Sequence, residues 1–283
     1  MTDSIADAVR KGYGNVAQQG LGSHNDGVRS IANAFGYSDE ELGSIPAESN
    51  MGLSCGNPVA IASIREGEVV VDLGSGGGLD VFLAARQVGP TGRAIGIDMT
   101  GDMISLARAN ARKGNYDNVS FHLAEIEAMP IPSRSVDCVI SNCVLNLCED
   151  KDAALAEVFR ILKPGGRLAI SDIALRKELP EHVAKEMSAW TGCIGGALTI
   201  EDNREKLLRA GFTDVAIQDA QADLNAYRAG GAAACCGPST DCCGPSDEPQ
   251  EANFHDQMSA LLDTIDANEY AASVKIFALK PDA

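Results

Sequence analysis

The stretch EVVVDLGSGGGLD, residues 68–80, limits the possible folds of this chain more than any other. An apolar run that ends in clustered glycines and passes directly into the helical pattern LDVFLAARQVG is a buried parallel strand feeding a helix. The unit then recurs. AIGIDM reads as a second strand, and GDMISLARANARKG as a helix with basic residues in its last turn and Gly114 as its stop. VSFHLA and VDCVISN read as the third and fourth strands. DKDAALAEVFRIL is a helix stopped by Lys163-Pro164-Gly165-Gly166, and RLAISDI is the fifth strand. Helical LPEHVAKEMSAW follows, then a loop or short cap, TGCIGGALTI, and a helix, NREKLLRAGF, ended by Gly211. DVAIQDA and SVKIFALK are the sixth and seventh strands. Strands alternating with helices of this length predict an α/β fold with a doubly wound parallel sheet and right-handed crossovers.

A chain of 283 residues suits one large domain, or a domain with a small lobe. The formal net charge is -17 and no Lys/Arg cluster is visible, which argues against a nucleic-acid partner. No apolar run reaches the ~18 residues of a membrane span. The opening MTDSIADAVRKGYG lacks the apolar core of a signal peptide. The chain is therefore expected to be cytoplasmic, without a membrane partner. Nine cysteines cannot all pair within one chain, and in a reducing compartment they read as free, catalytic or ligating.

In the glycine-rich turn, Asp72 precedes Gly74, Gly76 and Gly78, spaced two apart. This differs from the dinucleotide pattern G-x-G-x-x-G, and an acidic residue two positions before the first glycine suits an ammonium better than a pyrophosphate. Asp98 ends the second strand, where a carboxylate can accept hydrogen bonds from both hydroxyls of a ribose. Together with DNVSFHLAEIEAMPI, VDCVISNCVLNL and LKPGGRLAI, these features resemble the class I S-adenosylmethionine-dependent methyltransferases from about Glu68 to Asp172. The resemblance implies a Rossmann-like seven-stranded sheet with S-adenosyl-L-methionine as cofactor. It also implies cofactor contacts from Asp72, Gly74, Ser75, Gly76, Gly78, Asp98, Met99, Glu125, Ile126 and Asn142, with Glu125 and Ile126 beside the adenine. A nicotinamide-binding domain is the bland alternative; the glycine spacing and the LKPGG turn favour the methyltransferase.

The cysteines divide by context. Cys138 alternates inside the fourth strand and reads as a small core hydrophobe. Cys143 and Cys148 lie beyond that strand's end, where core and site readings balance. Cys55, in NMGLSCGNPVA, and Cys193, in AWTGCIGGALT, sit in glycine-rich loops where burial as filler is less natural. His24, His122, His182 and His255 are scattered, and no His/Asp pair offers a general base. An acceptor carrying its own lone pair would need none. Cys235, Cys236, Cys242 and Cys243 stand as two adjacent pairs in AAACCGPSTDCCGPSDEP, between the sixth and seventh strands. Adjacent cysteines fit poorly the C-x(2–4)-C spacing of structural zinc sites.

GYSDEELGSIPAESNMGLSCGNPVA, VDLGSGGGLDVFLAARQVG, GIDMT, HLAEIEAMPI, SNCVLNL and WTGCIGGAL resemble the bacterial arsenite methyltransferases, a likeness running from about Val9 to Lys280. The resemblance implies that Cys55 and Cys193 bind As(III) as thiolates. Trivalent arsenic is soft, is held in a pyramid of thiolates and keeps a lone pair that can attack a methyl in line. Arsenite and methylarsenite would be the substrates, methylated and dimethylated arsenicals the products, and a thiol reductant (thioredoxin or glutathione) the co-substrate. The implied layout is an N-terminal lobe over 1–66 bearing Cys55, a cofactor-binding core over 67–175, and a substrate-binding part over 176–283 with the Cys-rich loop 229–250. The Cys235/Cys236 and Cys242/Cys243 pairs would then be accessory thiols that capture arsenic, or a dispensable linker. The chain departs from the family twice: GYGNVAQQGLGSHNDG has no cysteine pair, and NEYAASVKIFALKP has no cysteine. A third arsenic ligand is left to a small thiol, water or the Cys-rich stretch. Two alternatives are methylation of an organic acceptor, such as a quinone or sterol precursor, and sequestration of soft metals.

Overall fold

The computed structural model describes residues 5–179, 194–230, 259, 262–263 and 265–282. Seven strands, β1 (Val69–Leu73), β2 (Arg93–Asp98), β3 (Val119–Leu123), β4 (Val136–Asn142), β5 (Leu162–Leu175), β6 (Thr213–Asp219) and β7 (Ala271–Leu279), form one sheet in the order β3-β2-β1-β4-β5-β7-β6. The first five are parallel, and β7 runs antiparallel between β5 and β6. The strand order reverses between β1 and β4, so the loops leaving their carboxyl ends open a crevice at the sheet edge, the usual ligand position in such folds.

Helices cover both faces because the central strands are apolar on both sides. Val70, Ala94, Cys138 and Ile140 pack against Val59, Phe82, Leu83, Val88 and Ile104, from α4 (Pro58–Ile61), α5 (Leu79–Val88) and α6 (Gly101–Lys113). Their strand neighbours Val71, Ile95, Val139 and Leu168 face Leu155, Val158, Ile161 and Leu207, from α7 (Lys151–Ile161) and α8 (Ile200–Arg209). Cys138 is the buried filler its alternation predicts. The helix stops where expected, α7 ending at Ile161, but the LKPGG segment is not a turn. It is the start of β5, and a register shift between Val136 and Cys138 lets Gly165 take a positive φ of 72° without ending the strand.

The N-terminal part consists of α1 (Ile5–Gln18), α2 (Asp26–Ala34) and α3 (Asp39–Gly43), followed by the loop that holds Cys55. α3 begins with a reciprocal cap: the Ser38 hydroxyl accepts from Glu41 N–H, and the Glu41 carboxylate accepts from Ser38 N–H. These pieces sit on the crevice. A Cβ on Gly77 would lie 3.1 Å from the Ser49 carbonyl, so the glycine turn and this lobe meet backbone to backbone. The helical expectation for LPEHVAKEMSAW, apart from Leu179, lies outside the described residues, as do Cys193, Cys235, Cys236, Cys242 and Cys243.

Candidate active site

A cavity of about 240 Å³ opens at the carboxyl ends of β1, β2 and β4. Of the ten residues expected to hold a cofactor, nine line it: Asp72, Gly74, Ser75, Gly76, Asp98, Met99, Glu125, Ile126 and Asn142. Gly78 does not; it caps α5 with φ 99° and lets the chain turn from loop to helix. Gly74 also needs to be glycine, since a Cβ there would meet Val144 at 2.3 Å with φ +64°. α1 lies across the opening: Ala6, Val9 and Tyr13 line the cavity, and Arg10 is paired with Glu125 at 2.6 Å.

Three aspartates face this space. Asp98 accepts from Gly76 N–H at 2.9 Å and Thr100 N–H at 2.8 Å, leaving outer lone pairs toward the cavity. Burial raises its pKa, and these hydrogen bonds oppose the rise. Asp72 is 3% exposed, and among the described residues no donor is paired with it. Burial, then the negative charges of Asp80 and Asp98, push its pKa well above the usual range. Asp80 is pushed up to about 6 by burial, against hydrogen bonds from Tyr37 and Asn142. The Ser75 hydroxyl is also buried without a partner among the described residues. An unpaired carboxylate and an unpaired hydroxyl lining one cavity leave polar capacity for a ligand, and a cationic group would relieve the crowding of negative charge.

The sulfur site adjoins this cavity. Cys55 is fully buried, and its N–H donates to Asn142 Oδ1 at 3.1 Å. Tyr227 and Ser273 donate their hydroxyls to the carbonyls of Ser54 and Cys55, so the loop is clamped from the C-terminal half. Cys143 follows β4 with φ 58°, a left-handed conformation uncommon for a side-chain-bearing residue, and its N–H donates to Ser171 O at 2.8 Å. That turn brings it to Cys55: the two Cα atoms are 5.9 Å apart and the sulfurs are joined as a disulfide. The Asp172 carboxylate lies within 4.8 Å of both sulfurs and is pushed up to about 7 by burial, against hydrogen bonds from Ile173 N–H and the Asn146 side chain. Cys148, half-buried on the cavity wall, keeps its thiol; burial pushes it up to about 12.

Sequence reasoning thus placed Asn142 on the cavity but missed Tyr37, Asp80 and Asp172, and left Cys143 undecided. A residue following a strand's carboxyl end was the available signal for Cys143. For Tyr37, far along the chain, there was none.

The Methyltransferase domain model matches residues 64–221, a little over half of the chain. The chain belongs to this methyltransferase family; the matched span runs from before β1 through β6 and contains the glycine turn, Asp72 and Asp98. More particularly, it is 46% identical over 183 residues to an arsenite methyltransferase of Halobacterium salinarum, covering 65% of this chain and 47% of that one. It is 34% identical over 211 residues to the arsenite methyltransferase of Mus musculus, covering 71% and 56%. The chain spans about half the length of the curated relatives it matches. An arsenic(III) S-adenosylmethionine methyltransferase from Chlamydomonas reinhardtii superposes with a TM-score of 0.56 at 28% identity, covering 89% of this chain and 73% of that one.

Proposed function

We propose that this protein methylates trivalent arsenic with S-adenosyl-L-methionine, accepting arsenite and methylarsenite. The observation that carries the proposal is the meeting of Cys55 with Cys143, which lines the cavity, in a family whose arsenite-methylating relatives match this chain. An organic acceptor would have no use for two converging sulfurs there.

The residues fit the cofactor. Asp98 would receive the ribose hydroxyls, Glu125 and Ile126 would flank the adenine, Asp72 would face the ammonium, and the backbone from Gly74 to Gly76 would take close approach. When bound, the cofactor supplies an electrophilic methyl on a sulfonium. The protein's part is to ligate arsenic through thiolates, hold its lone pair toward the cavity and exclude water. Cys55 and Cys143 supply two sulfurs. Cys193 remains the third candidate; its neighbour Ile194 is buried in the same apolar cluster as Cys55 and Cys143. The third ligand missing from the seventh strand therefore has a source in the end of β4.

While Cys55 and Cys143 are joined, neither can ligate arsenic, so a thiol reductant of the thioredoxin or glutathione type is a co-substrate in this reading. Cys235, Cys236, Cys242 and Cys243 are assigned an accessory capture role. Leu224, Tyr227 and Leu262, which bracket that stretch, are buried in the cluster that holds Cys55. The test is arsenic speciation and S-adenosylhomocysteine formation with arsenite and a reducing thiol. Wild type should turn over, and Cys55→Ser, Cys143→Ser and Cys193→Ser should lose at least tenfold. No turnover by wild type, or full activity in Cys55→Ser, would sink the proposal.

A further inference from the structure

Cys55 is not held by its own loop alone. Its N–H donates to Asn142 Oδ1 at 3.1 Å, and its Sγ lies 3.7 Å from the same oxygen. The other end of that amide is over-determined. Asn142 Nδ2 is 2.8 Å from the Tyr37 hydroxyl oxygen, 2.9 Å from Gly56 O and 3.1 Å from Asp80 Oδ2. Turning the amide over would set its oxygen against a carboxylate and a carbonyl, so only one orientation offers an acceptor to Cys55. Tyr37 is the hinge of this set, because its hydroxyl donates to Asp80 Oδ1 at 2.7 Å while accepting from Asn142. It is 2% exposed, comes from the N-terminal lobe between α2 and α3, and does not line the cavity. Asp80, by contrast, is on the cavity wall at the first turn of α5.

We infer that Tyr37 is a positioning residue for Cys55: through Asp80 and Asn142 it fixes the amide that holds the Cys55 backbone and sulfur beside Cys143 and the cavity. The chain of contacts is buried and short, and each member has a specific partner, so loss of one member is felt by the others. Its catalytic consequence rests on the proposed arsenic methylation. Its geometric consequence does not.

The test separates the two. In a glutathione buffer the protein dithiol and oxidised glutathione exchange with the Cys55–Cys143 disulfide and two reduced glutathiones, and alkylation followed by mass spectrometry reads the position of equilibrium. Tyr37→Phe keeps the ring and removes both hydrogen bonds. It should shift the equilibrium at least about tenfold toward the dithiol, the loss expected of one to two buried hydrogen bonds. S-adenosylhomocysteine affinity should change less than about threefold, under about half of that effect in free energy. Asn142→Ala should shift the equilibrium in the same direction, and the double variant no further than the larger single effect. An unchanged equilibrium in Tyr37→Phe, additive shifts, or cofactor affinity falling in step with the equilibrium would each overturn the inference. Should Tyr37→Phe not fold, a wild-type equilibrium in Asn142→Ala overturns it instead. The arsenite KM of Tyr37→Phe should also rise about tenfold. If wild type does not methylate arsenite at all, the arsenic reading falls and the disulfide equilibrium alone decides on Tyr37.

Discussion

Single charged residues carry most of what can be tested here. Asp72 is a buried carboxylate with no donor paired to it among the described residues, facing a cavity that also receives Asp80 and Asp98. If it meets a cationic ligand group, Asp72→Asn should weaken S-adenosylhomocysteine binding about 10- to 100-fold, the range for a hydrogen bond to a charged group. Both Asp72 and Asp80 have raised pKa values, Asp80 to about 6, so acidification protonates them before ordinary carboxylates. Affinity should therefore fall as pH drops through about 6, and calorimetric titration across that range would show it. A flat profile in wild type would count against the assignment. Asp172 makes the opposite kind of statement, about stability. Burial lifts it to about 7, whereas an unfolded carboxylate titrates near 4. The folded state thus keeps a proton the unfolded chain has lost, and stability falls as pH rises from about 4 through 7. Asp172→Asn retains an acceptor for Asn146 and Ile173 N–H. It should raise Tm near pH 8 and leave it unchanged near pH 4; equal Tm changes at both would contradict this.

At the scale of elements, the turn between β1 and α5 matters most, because it must be tight, open to a ligand and closely packed at once. Gly78 shows the packing requirement: at φ +99°, an added Cβ would lie 2.6 Å from Phe82 Cε2 and 3.1 Å from Phe121 Cζ. Gly78→Ala should cost about 3 kcal/mol in urea unfolding, combining a left-handed backbone penalty of ~1–2 with overpacking of ~1–3. A loss below ~1 kcal/mol would show that the two rings can move aside. The same turn explains what was legible locally. A strand, a glycine cluster and a helix leave period and breaker signals in adjacent residues, so seven strands and the described helices between them could be read before any contact was known. LKPGG does stop the helix, but it did not read as strand because breakers that usually end an element here form a bulge inside one.

For the whole molecule, the site is assembled from parts far apart in sequence. Cys55 and Cys143 are 88 residues apart, and the hydroxyl that holds the Cys55 carbonyl belongs to Ser273. The N-terminal helix α1 closes over the cavity and is tied to Glu125 through Arg10. The Cys-rich stretch is tested by deleting residues 232–246. Turnover at saturating arsenite should be retained, and turnover at arsenite well below KM should fall several-fold. Unchanged activity at low arsenite would make those four cysteines dispensable.

The amino-acid sequence by itself determined the doubly wound sheet, the glycine turn with Asp72 and Asp98, and the exclusion of Cys138 from the site, because each depends on periodicity or on neighbours along the chain. Only the tertiary structure decided which cysteine meets Cys55, that Tyr37 and Asp80 hold Asn142, and that Asp172 stands beside both sulfurs. Those pairings arise from strand order and from a lobe folding back over the sheet edge. Contacts of that kind leave no periodic trace in the residues that make them.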